Sequence, residues 1–168
     1  MRGGRAGVGT SARVALFALL ACGAAAVVLV SCGGDDGPGP PPGPERFFPL
    51  DFSSTYIEVR DCRPSVDHFP NVRVYVDPVA ATAYVDSVNP LPVGTVCVKP
   101  MYSDGGCTTV IRYESMKKGP PGTAPATGDW EWQVVSVDGT VTESGQIPRC
   151  VSCHTGCKST RDFTCTDP

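Results

Sequence analysis

Alternating apolar and polar positions along the middle of the chain predict β-strands. The clearest case is Asn71–Val76, where three valines occupy every second position and therefore share one face of a strand. Other segments alternate similarly or are rich in β-branched and aromatic residues. They predict strands at Thr55–Arg60, Val93–Lys99, Cys107–Glu114, Trp130–Val137 and Thr140–Ser144.

Turn and helix signals separate these strands. Asp77-Pro78 supplies a capping carboxylate and a first-turn proline, which predicts a short helix over 79–86. Prolines, glycines and polar residues predict loops at 61–70 and 117–128, and Asp138-Gly139 predicts a hairpin turn. The sequence therefore indicates an α+β fold, mainly an antiparallel sheet with a few short flanking helices.

The first 31 residues have the layout of an export signal. Arginines precede an uncharged apolar run from Val14 to Val30. The run ends in Leu29-Val30-Ser31-Cys32, which resembles a bacterial lipobox and predicts a lipidated Cys32 at the mature N-terminus. At about 17 residues the run is also long enough for the alternative, an uncleaved transmembrane helix.

The rest of the chain divides into a tether and one domain. Residues 32–45 are mostly Gly, Pro and Asp after the cysteine, so they lack the apolar surface needed to fold. Residues 46–168 have the length of one small domain. The net charge of −3 is spread along the chain without a basic patch, which argues against a nucleic-acid partner. We expect an exported protein, lipid-anchored to a bacterial membrane and facing the periplasm or cell exterior.

Cys150-Val151-Ser152-Cys153-His154 carries the most specific chemistry. The C-x-x-C-H spacing suits covalent attachment of one c-type haem, with thioether bonds at both cysteines and His154 as the axial iron ligand. Two alternatives use the same residues: a zinc site that adds Cys157 or Cys165, and a disulfide-linked knot. Export favours haem, because bacterial c-type haem is attached outside the cytoplasm.

Five of the nine cysteines remain after Cys22, Cys32 and the C-x-x-C pair are set aside. We interpret Cys97 as a buried core thiol. The other four can form two disulfides in three pairings, and the pairing we favour joins the tail to the sheet. These four are Cys62, Cys107, Cys157 and Cys165.

Several segments together resemble the cytochrome P-460 family, which includes the cytochromes c′-beta. The resemblance covers most of the folded segment, with its motifs in the family's order. They are the residues 72–78, 94–99 and 128–132, the C-x-x-C-H motif, and 161–164. The resemblance implies a five-stranded antiparallel sheet, a single covalent haem with an open distal side and, in many members, a homodimer.

The resemblance also implies roles for two further residues. Lys99 matches a lysine that bonds to the porphyrin in hydroxylamine-oxidising members; the alternative is a strand-end lysine reaching water. Glu114 is the candidate proton acceptor. Strand parity places Glu114 with Arg112, opposite Ile111 and Tyr113, and so favours a solvent-exposed glutamate.

Three other side chains are conventional iron ligands: His68, Met101 and Met116. We interpret His68 as a capping or surface histidine and both methionines as packing residues. The resemblance leaves two kinds of function open. One is oxidation of hydroxylamine or a related small nitrogen species, with electrons passed to an exported acceptor; the other is non-catalytic binding of nitric oxide or another diatomic, or electron transfer.

Overall fold

The computed structural model describes residues 42–68 and 70–166, so the predictions for the signal segment and Cys32 lie outside the described residues. Within these ranges, six strands form one antiparallel sheet in sequence order. They are β1 (Ile57–Pro64), β2 (Asn71–Val76), β3 (Val96–Tyr102), β4 (Val110–Lys118), β5 (Trp130–Val135) and β6 (Val141–Gly145). The antiparallel α+β prediction is confirmed, with one strand more than the resemblance implies.

Short helices complete the described part of the chain. They are α1 (Ala81–Val85), α2 (Pro148–His154) and α3 (Lys158–Arg161), with 3-10 turns at Phe52–Ser54, Pro125–Thr127 and Thr155–Cys157. Oδ1 of Asp77 accepts the backbone N–H groups of Val79 and Ala80, so the predicted capping carboxylate holds the turn that leads into α1; the helix itself begins at Ala81, later than predicted, and has no side-chain cap. None of the helices in these ranges is long and apolar enough to cross a membrane.

The strand boundaries differ from prediction where turns and pairing decide them. β3 begins at Val96 because Gly94 adopts a φ of 89° and its N–H donates to the carbonyl of Lys118. β4 runs to Lys118, beyond the predicted start of the loop, because Lys117 and Lys118 pair with β5. β1 extends to Pro64, beyond its predicted end at Arg60, because Arg63 and Pro64 pair with β2.

The sheet separates two cores. One face, here called the helical face, is covered by α1, α2 and the C-terminal segment. It contains Val74, Val76, Cys97, Met116, Trp130, Trp132 and Val134, packed against Tyr84, Leu91, Ile147 and Phe163. The other face packs against the chain before β1 through Phe48, Phe52, Tyr75, Val96, Val98 and Val135. The predicted valine face of β2 and tryptophan face of β5 both point to the helical face.

Two disulfides are present, but not in the favoured pairing. Cys62 bonds to Cys107, and Cys157 bonds to Cys165. The end of β1 and the turn between β3 and β4 meet at the same end of the sheet, which brings the first pair together. The second pair lies on either side of α3, where the chain reverses. The prediction that disulfides join the tail to the sheet is therefore wrong.

The two disulfides are expected to differ in their contribution to stability. They close sequence separations of 45 and 8 residues. On the chain-entropy account these loops correspond to about 4 and about 2.5 kcal/mol respectively. The double variant Cys62→Ser/Cys107→Ser should therefore lose more unfolding free energy in urea than Cys157→Ser/Cys165→Ser. Equal losses, or the reverse order, would contradict this expectation.

Candidate functional site

The C-x-x-C-H motif forms helix α2. Pro148 occupies the first turn, where its missing N–H costs no hydrogen bond. Cys150 and His154 are four residues apart and so lie on the same side of the helix. Cys150 is half-buried and Cys153 is exposed, and neither forms a disulfide.

The His154 imidazole is buried and held in one orientation. Its Nδ1 lies 2.5 Å from the backbone carbonyl oxygen of Phe163. A carbonyl can only accept, so Nδ1 carries the proton and Nε2 keeps a free lone pair. Trp132 packs edge-on against the ring, with centroids 5.6 Å apart. A hydrogen bond from the other ring nitrogen is the usual support for a metal-binding histidine.

The protonation state of His154 also suits a metal ligand. Burial lowers the pKa of His154 to about 4, although the hydrogen bond to Phe163 opposes this shift. The imidazole is therefore neutral at physiological pH. A neutral ring nitrogen can donate its electron pair to a metal ion, whereas a protonated one cannot.

A cavity of about 30 Å³ lies beside His154 and opens to solvent. Most of the lining is apolar or hydroxyl-bearing, and its titratable residues are His68, Tyr84, Cys97, Lys99, Glu114, Cys150 and His154. One lining residue on the helical face carries a buried polar atom that has no hydrogen-bond partner among the described residues, Nε1 of Trp132. Such an atom fits a cavity that receives a group with polar substituents.

Lys99 reaches this cavity from β3. Its Nζ lies 3.4 Å from the Thr166 hydroxyl oxygen, and burial lowers the pKa of the ammonium group. The shift increases the neutral amine fraction, which is the form that a covalent bond to a macrocycle requires. The structure therefore places Lys99 beside His154 rather than at a solvent-facing strand end.

The prediction that Glu114 is solvent-exposed is wrong. Its side chain is only 13% exposed and lines the cavity. Strand parity correctly placed Glu114 on the face of Arg112, but that face is the helical face and is covered by α2. Burial raises the pKa of Glu114, and hydrogen bonds and charge from His68 and Arg112 outweigh it, so the pKa is lowered overall.

His68 is likewise at the cavity and not at the surface. Its side chain is 17% exposed, and its Nδ1 lies 2.5 Å from Oε2 of Glu114. The backbone N–H of His68 donates to Oγ of Ser65, which fixes the loop that carries it. Sequence reasoning missed this placement because the partner carboxylate is 46 residues away.

The remaining candidates behave as packing residues. Cys97 is fully buried at the cavity wall, and burial strongly raises the pKa of its thiol, so it stays protonated. Met101 and Met116 are both buried. Met116 lines the cavity, whereas Sδ of Met101 accepts a hydrogen bond from Arg112.

The zinc alternative loses two of its ligands. Cys157 and Cys165 are bonded to each other. Among residues 42–68 and 70–166, no group of three or more His, Cys, Asp or Glu side chains is arranged to hold a metal ion. The disulfide-knot alternative does not account for Cys150 and Cys153, which remain thiols.

Comparison with known proteins adds no assignment: neither the models of known protein families nor the curated proteins contain a match to this chain. The functional conclusion therefore rests on the residues of the site.

The position of Phe163 depends on Gly128. A β-carbon at Gly128 would lie 2.6 Å from the Phe163 ring, and Gly128 has a φ of 60°. A side chain at this position would therefore push away the residue whose carbonyl holds His154. Sequence reasoning singled out 128–132 as a motif but could not detect this contact.

We expect Gly128→Ala to cost more than its backbone strain alone. Gly122 is the matched control, because its φ is 89° and nothing lies within 4 Å of an added β-carbon. Gly122→Ala should cost about 1–2 kcal/mol for the left-handed conformation. Gly128→Ala should add about 1–3 kcal/mol of overpacking. Urea unfolding measures the loss of unfolding free energy in each variant. Equal losses would show that the Phe163 ring moves aside at no energetic cost, contrary to this expectation.

Proposed function

We propose that this protein is an exported, lipid-anchored c-type cytochrome of the cytochrome P-460 type, with one covalent haem. The observation that carries the proposal is the arrangement of His154. Its imidazole is neutral, its Nδ1 is engaged by the Phe163 carbonyl, and its Nε2 is free beside a cavity. Two thiols precede it on the same helix at the C-x-x-C-H spacing.

The residues present fit a haem. Cys150 at the cavity and Cys153 at the surface would bond to the two vinyl groups, and Nε2 of His154 would bind the iron. Bound in this way, haem supplies reversible one-electron chemistry at iron. The Phe163 carbonyl and Trp132 hold the imidazole in place.

Two disulfides in the described chain support an exported location. Disulfides persist in oxidising compartments and are rare in the cytosol. Together with the signal segment 1–31 and Cys32, they favour a domain held at the outer side of a bacterial membrane. The same compartment contains the machinery for attaching c-type haem.

For the reaction, we propose oxidation of hydroxylamine or a related small nitrogen species, with electrons passed to an exported acceptor. Glu114 is ionised and lies in the cavity, so it is the carboxylate that can accept a substrate proton there; its lowered pKa and its bonds to His68 and Arg112 make it a weak base. Lys99 supplies an amine with a lowered pKa at the position matching the family's cross-linking lysine.

A second candidate is electron transfer, or binding of nitric oxide or another diatomic, without catalysis. The proximity of His68 to His154, whose ring centroids are 6.2 Å apart, favours the electron-transfer version of this candidate. A second histidine beside the axial ligand can restrict access to the iron.

Haem attachment is testable by expressing the full chain with a cytochrome c maturation system. Denatured, acid-extracted protein should retain its haem absorbance. Cys150→Ala and Cys153→Ala should each leave one thioether bond, and the double variant should lose all covalent haem. Cys97→Ala is the control, since that thiol is outside the motif. Wild-type protein that releases its haem on extraction would overturn the proposal.

The role of Lys99 is tested separately. If Lys99 bonds to the macrocycle, the peptide containing it should carry the haem mass together with the C-x-x-C-H peptide. In Lys99→Arg the two peptides should separate, while covalent haem remains through the cysteines. Unmodified Lys99 in fully loaded wild-type protein would reject the cross-linked version and leave the c-type assignment intact.

A further inference from the structure

The cavity contains two histidines that are held in the same way. Nδ1 of His154 donates to the carbonyl oxygen of Phe163, and Nδ1 of His68 lies 2.5 Å from Oε2 of Glu114. An ionised carboxylate can only accept, so Nδ1 of His68 also carries the proton. Each ring therefore presents Nε2 as the nitrogen with a free lone pair.

The spacing of the two rings matches a shared metal ion. Their centroids are 6.2 Å apart and their planes are inclined by 78°. Two imidazoles bound on opposite sides of one metal have ring centres roughly 6 Å apart, from two bonds of about 2 Å and about 1 Å within each ring. Edge-to-face packing also produces this spacing and inclination. The distinguishing feature is that both Nδ1 atoms are anchored, which leaves both Nε2 lone pairs available.

We propose that His68 is the second axial ligand of the iron held by His154. This inference rests on the proposed function, because it takes the metal to be haem iron. It assigns a role to a histidine that lies 86 positions before the C-x-x-C-H histidine, in the connection between β1 and β2.

Glu114 is then the positioning residue of His68. A carboxylate behind a metal-bound histidine fixes the tautomer and raises the donor strength of the ring. Oε1 of Glu114 is in turn held by Arg112 at 2.9 Å, so the carboxylate is fixed on both sides. Glu114 and His68 therefore form one unit that mirrors the Phe163–His154 unit.

A small molecule would then reach the iron only by displacing His68. The histidine lies in the connection between β1 and β2, and Ser65 and Pro70 close this loop by a backbone hydrogen bond. The His68 side chain belongs to no strand, so it can leave the cavity without changing the pairing of the sheet. With haem bound, the iron in the resting protein would have both histidines as ligands, and an external ligand would compete with His68.

The test uses the full chain loaded with covalent haem and the ferric optical and paramagnetic resonance spectra as readouts. Wild type should be low-spin. His68→Ala should become predominantly high-spin while keeping its covalent haem, and free imidazole should restore the low-spin spectrum. The restored spectrum also shows that the variant is folded.

Met116→Leu is the matched control, because Met116 is the other conventional iron ligand that lines the cavity. It should remain low-spin, and Glu114→Gln should remain low-spin with shifted resonance positions. A high-spin wild type unchanged by His68→Ala, or loss of the low-spin spectrum in Met116→Leu alone, would overturn the role of His68 and leave the c-type assignment standing. Absence of covalent haem would overturn both.

Discussion

The hydrogen bond from Nδ1 of His154 to the carbonyl of Phe163 is the contact on which the site depends. It joins α2 to the C-terminal segment, selects the tautomer of the imidazole and directs the free lone pair to Nε2. The carbonyl is presented by a chain reversal in which Asp162 and Phe163 have φ values of 46° and 67°. Such a backbone conformation needs support from its surroundings.

That support comes from the sheet. The buried carboxylate of Asp162 accepts two hydrogen bonds from Nζ of Lys118 and one from the backbone N–H of Leu91. Lys118 is the last residue of β4 and also lies over the Trp130 ring. The ion pair, the close approach at Gly128 and the hydrogen bond to His154 thus connect the sheet to the His154 imidazole in one continuous set of contacts.

Local patterns predicted the parts of this protein that depend on local rules. The valine face of β2, the tryptophan face of β5 and the turn held by the Asp77 carboxylate follow from strand period and capping chemistry, and the structure has all three. The predictions that are wrong concern residues whose neighbours in space lie far away in the sequence. Glu114 lies on the predicted side of its strand, yet α2, more than thirty positions later, covers that side. His68 lies at the cavity because Glu114 holds it there, and no sequence spacing predicts a pair of residues so far apart in the chain.

The central claim is that Cys150, Cys153 and His154 hold a haem, and the mass of one tryptic peptide tests it most directly. Cleavage after Arg149 and Lys158 releases residues 150–158, which contain both thiols and the histidine. After disulfide reduction of protein made with a cytochrome c maturation system, this peptide should carry the mass of one haem. Recovery of the peptide with Cys150 and Cys153 both free would contradict the account.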